Sequence, residues 1–199
     1  MKRAFLLVLL VACALAGTAR ADGDPASDYL YGLKLFLPYD VKIPKERQQE
    51  LTSFVEATNR SGYEIRVAII GSSYDLGSVT SLWRQPRTYA RFLGAELQFV
   101  YAKRLLIVMP NGFGMYWKGH SVKREYAVLS KIPIGKGGSG LVDAAQNAVS
   151  KLAAASGVKV TEVAPRSAPR KSGHGRSLII LAAIAALALA VLARLALRR

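Results

Sequence analysis

Ser72, Ser73 and Asp75 follow directly on the apolar run Val67–Ile70, in "VAIIGSSYDLG". In α/β folds, ligands bind where strands give way to loops at their carboxyl ends. An aspartate there can hold a cation or serve as a general base. One carboxylate does not make a metal site, because hard cations take several oxygen ligands and no second Asp, Glu or His lies nearby in the sequence. The same residues also have a plain structural use. Asp accepts local backbone N–H bonds in turns, and Ser78 can cap the helical turn "VTSL".

A second candidate is "GKGGSG", Gly135 to Gly140, which matches G-x-G-x-x-G ahead of a helical pattern, with Glu162 about 20 residues on. Pro133 in the preceding "SKIPIG" suits a central parallel strand poorly, which argues against a dinucleotide site. Exposed N–H groups at a helix start beside Lys136 still favour an anion. His120, in "KGHSVK", is the one histidine within residues 22–157, and Lys123 stands where a nucleophile elbow needs glycine. Cys13 is the only cysteine, so disulfides and a cysteine nucleophile are excluded once the first residues are removed. Ser72, Ser73, Asp75 and Lys136 are therefore the candidate ligand-binding residues. No catalytic set, metal site or cofactor is expected.

The elements that must position these residues follow from periodicity. Leu30–Leu37 reads as a strand ending at Pro38. Pro44 suits the first turn of a helix from Lys45 to Arg60, with Leu51, Phe54, Val55 and Thr58 on one face and Gly62 at C′. Glu64–Ile70 and Arg104–Met109 are nearly continuous apolar runs, as in strands covered on both faces. Pro86 starts a helix to about Leu97. "NGFG" signals a hairpin into a strand from Met115 to Lys118, and Gly140 opens a last helix to about Ala155. Trp117 near the hairpin end is a candidate partner contact. The alternation predicts an α/β fold: one mixed β-sheet with helices packed on it.

The stretches "KERQQELTSFVEATNRSGYEIRVAIIG", "YARFLGAELQF" and "KRLLIVMPNGFGMYW", with the closing helix, resemble a TPM domain over residues 41–155. "DLGSVTSLW", "YARFLGAEL" and "LLIVMPNG" also resemble a set of uncharacterised membrane-anchored actinobacterial proteins. The TPM resemblance implies a domain outside the cytoplasmic membrane with a C-terminal anchor. It further implies an accessory role in a membrane assembly, as in photosystem repair or receptor modulation, or a phosphatase acting on phosphate esters.

The ends of the chain give a topology. Residues 1–21 read as a signal peptide: Lys2 and Arg3, an apolar stretch to Gly17, and Ala19-Arg20-Ala21 as the cleavage pattern. Leu10–Cys13 offers a competing lipoprotein site. Residues 22–157 are the extracytoplasmic domain, and 158–176 are a Pro/Ser/Gly/Arg-rich stalk. Residues 177–197 are a transmembrane helix, and 198–199 a basic cytoplasmic tail. The uncharged core of that span, Leu178–Ala193, is short of a ~30 Å hydrocarbon layer, and extension to Leu197 with Arg194 snorkelling matches it. Ala182, Ala186 and Ala190 form a small-residue stripe that permits self-association of the span.

This organisation also reinterprets the net charge of +15. Without Lys2, Arg3 and Arg20, 25 basic residues face 13 acidic ones, and seven of the basic residues flank the span. Anionic headgroups attract such flanks, so the excess points to membrane rather than nucleic acid. The expected protein is a single-pass, non-catalytic accessory module, held by the lipid bilayer, that binds or helps assemble an envelope or membrane protein.

Overall fold

The computed structural model describes residues 23–160. The expected signal peptide, transmembrane helix and basic tail, and most of the stalk, lie outside the described residues. Among those described, no helix is long and apolar enough to cross a membrane.

The first element differs from expectation. Instead of a strand over Leu30–Leu37, helix α1 spans Pro25–Gly32 and is followed by a two-residue strand, β1, Leu35–Phe36. The reason is a start signal. Asp24 is the N-cap and accepts from the Ala26 N–H, and Pro25 sits at the first helical position. Ala26 and Leu30, four residues apart, then form a buried stripe.

Helix α2 spans Lys45–Arg60 as its periodicity predicts, and strand β2 spans Ile65–Ile69. Gly62, at φ +92°, ends α2 in the left-handed conformation that glycine adopts without a Cβ penalty. A 3₁₀ segment, Ser73–Leu82, leads to helix α3, Pro86–Glu96. Strands β3, Arg104–Met109, and β4, Gly112–Trp117, form a hairpin that turns at Pro110–Asn111, earlier than the "NGFG" signal implied. Helix α4, Lys123–Leu129, occupies a stretch without clear apolar periodicity.

Helix α5, Gly137–Ala155, begins three residues before the expected Gly140. The glycine-rich stretch is thus mostly the first helical turn rather than a loop ahead of it. Packing demands Gly138 and Gly140. A Cβ on Gly138 would overlap the Lys42 carbonyl oxygen, and one on Gly140 would overlap the Gly135 backbone.

The sheet has the order β1-β2-β3-β4, parallel except for β3 against β4. Alternate residues of each strand feed two cores. Val67, Leu106 and Met115 pack with α2, α4 and α5 on one face. Ala68, Ile107 and Met109 pack with α1, the 3₁₀ segment and α3 on the other. The β1–β2 connection through α2 covers the first face, and the β2–β3 connection through α3 covers the second. Both step the same way across the sheet, so the two crossovers have opposite hands. One is therefore left-handed, against a rule obeyed in about 98% of such units.

Candidate functional site

The loops after β1 and β2 meet at the carboxyl end of the sheet, where the sequence placed its first candidates. Asp75 is 0% exposed. Its Oδ2 accepts from the Gly71 N–H at 2.8 Å and the Ser72 N–H at 3.0 Å, and its Oδ1 accepts from the Tyr39 N–H at 2.8 Å. Ser72 Oγ accepts in turn from the Tyr74 N–H at 3.1 Å, closing a reciprocal capping box at the start of the 3₁₀ segment. The cap is therefore Ser72, not Ser78. Gly77, at φ +52°, breaks the segment near the residue expected to cap it.

One carboxylate thus ties the β1 loop to the β2 loop through three backbone donors. Burial raises its pKa above the usual aspartate value, and the three N–H bonds oppose that rise. No open face is left to meet a substrate. Ser73 is exposed beside it. Lys136 is the exposed N-cap of α5, and among the described residues it has no ion pair or side-chain hydrogen bond. The 38–44 loop lies between the two features: Gly71 packs on Pro38 and Val41, and Gly138 packs on Lys42 and Ile43.

His120 lies elsewhere. It stacks on Trp117 with ring centroids 3.8 Å apart, and Trp117 pairs with Arg104 at the amino end of β3. Six strand residues separate the two ends of the sheet, roughly 17 Å. A Ser–His–Asp set with Asp75 is not assembled. Trp117 is half-buried, with the Arg104 guanidinium 3.8 Å from its ring centroid. Among the described residues no three His, Cys, Asp or Glu side chains converge as metal ligands.

Sequence reading missed the surface over this corner. Tyr29, Phe36, Tyr39 and Tyr74 form an edge-to-face chain with centroids 5.6 to 6.4 Å apart. Phe36 is buried in the core, whereas Tyr39 is 51% and Tyr74 70% exposed. They border an open cleft of about 580 Å³ that also touches Pro25, Ser73 and Thr80. A signal was available: Tyr39 and Tyr74 each follow a strand within a few residues, where loops carry function.

No protein-family model matches the chain, and no curated protein does. The chain is similar to the solution structure of the N-terminal domain of the cg2496 protein from Corynebacterium glutamicum, at 15% identity and a TM-score of 0.41. That likeness covers 72% of this chain and 90% of the other. These comparisons add no support to the TPM resemblance.

Proposed function

We propose that residues 23–160 are the binding module of a single-pass membrane protein, held outside the cytoplasm, and that an envelope or membrane protein docks on its tyrosine surface. The observation that carries this reading is the division of labour at the β1–β2 corner. The buried acid there, Asp75, is consumed by three backbone donors, while Tyr29, Tyr39 and Tyr74 stand exposed above it. Tyrosine is enriched at protein interfaces because it offers large area at low conformational cost and a polar tip. Tethering by the C-terminal span would raise the local concentration of the module at the membrane face, so modest affinity suffices. The reading keeps the accessory role implied by the TPM resemblance and sets aside its phosphatase alternative.

The test is site-specific photocrosslinking of the full chain in native membranes. A photoreactive phenylalanine at Tyr74 should recover one recurrent protein, and the same group at Lys151 on α5 should not. Capture of lipid alone at Tyr74 would sink the proposal. Hydrolysis of an aryl phosphate by the full chain with Mg²⁺, Mn²⁺ or Ca²⁺ would replace it with the phosphatase reading.

A further inference from the structure

The positive charge of the domain is concentrated in one part of the fold. Residues 84–131 carry nine lysines and arginines and two acids, whereas residues 23–83 carry six and eight. Residues 84–131 build α3, β3, β4 and α4, the side of the sheet away from the tyrosine surface.

There, edge strand β4 lies at the base of a groove between α3 and α4. Two clefts adjoin along it, of about 670 and 610 Å³, and Arg87 and Tyr126 line both. Tyr126 seals the strand edge, accepting from the Met115 N–H at 2.9 Å. The Arg87 guanidinium lies 4.4 Å above its ring. Arg91, one helical turn further, lines the second cleft with His120.

No acidic residue lines either cleft, and among the described residues neither arginine has an ion pair. Among the described residues the two acids of this stretch, Glu96 and Glu125, form an ion pair with neither arginine. The first turn of α3 has no acid to offset these cations, an arrangement that the helix dipole disfavours. Arg84, just before α3, adopts φ +61°, the one described non-glycine residue with positive φ. Its carbonyl accepts from Asn111 Nδ2 at 2.6 Å, which holds the strained turn against the hairpin. Like charges without ion pairs, beside a strained turn, are a pattern expected at functional sites.

We propose that this groove binds an anion carrying two or more phosphoryl groups. Side chains one turn apart on a helix have Cβ atoms about 5–6 Å apart, a spacing that suits adjacent phosphoryl groups. Guanidinium forks match such groups bidentately. The space on both sides of Arg87 accommodates a chain longer than one phosphate. The source is either a free oligophosphate or neighbouring headgroups of a lipid surface. The site is independent of the tyrosine surface.

The test uses the full chain in nonionic detergent, with Trp83→Phe leaving Trp117, which lines the second cleft, as the sole fluorescent reporter. Tripolyphosphate should give a saturable change. Arg87→Gln with Arg91→Gln should weaken it at least about tenfold, the loss expected for charge-assisted hydrogen bonds. Arg91→Gln alone, at an exposed site, should weaken it in the same direction. Lys151→Gln, an equal charge loss on α5, should leave it unchanged. Micelles doped with phosphatidylglycerol distinguish the sources. A response that tripolyphosphate reverses assigns the lipid surface, and no response assigns the free oligophosphate. Equal binding by the arginine variants, an equal loss in Lys151→Gln, or the same response to citrate at matched ionic strength would each overturn the proposal.

Discussion

Asp75 looks like a catalytic residue in the sequence and behaves as a fastener in the fold. Its type and its place after a strand are those of a general base, yet three backbone donors occupy both oxygens. Asp75→Asn puts an amide N–H where an acceptor is required, so it should destabilise the domain by about 2–4 kcal/mol, the cost of one or two stranded buried donors. Urea unfolding followed by circular dichroism reads this directly, and an unchanged midpoint would contradict it. Asp24 gives a pH-dependent counterpart. Burial raises its pKa from 3.8 to about 6, even though the Tyr89 hydroxyl donates to it at 2.7 Å. The native state therefore holds this proton more tightly than the unfolded chain. Its stabilising contribution is complete below about pH 4 and is lost as pH rises through about 6. Thermal melts should show that fall, and Asp24→Asn should flatten it.

Elements in this fold are held together by glycines that permit close approach. A Cβ on Gly114 of β4 would overlap the Pro86 carbonyl oxygen, which belongs to backbone and cannot swing away. Gly114→Ala should push α3 off the sheet and destabilise by about 1–3 kcal/mol or more. Gly32, at the end of α1, has nothing within 4 Å of such a Cβ and no positive φ, so Gly32→Ala should be neutral or slightly stabilising. Comparable midpoints for the two variants would refute the close-packing argument. The long elements were legible before the structure: α2, β2, α3 and β3 each agree with their periodicity to within one residue or so. The strand expected at Leu30–Leu37 was misread because apolar residues there also satisfy a helical stripe, and the Asp24–Pro25 start signal was overlooked. Helix α4 was missed because its seven residues bury only Leu129 fully, too little to show a period.

At the scale of the whole molecule, the expected topology places the two-faced domain outside the cytoplasm, between an export signal and an anchor. Protease added to intact cells should digest residues 23–160 while leaving a membrane-embedded C-terminal fragment. Full protection until the cells are opened would contradict that placement. The domain itself is polarised, with its tyrosine surface beside β1 and its unpaired arginines beside β4. Two separate contacts can therefore be engaged at once by one domain.

The α/β class, the long helices and the buried strands are determined by the sequence alone, because each depends on local periodicity, capping and composition. The opposite hands of the two crossovers, the capture of Asp75 by Tyr39 from 36 residues away, and the gathering of Arg87, Arg91 and His120 along one groove were decided by tertiary structure. These depend on which strand neighbours which and on which face each helix covers. Local pattern is silent on that choice, since either face of a sheet buried on both sides presents the same apolar run.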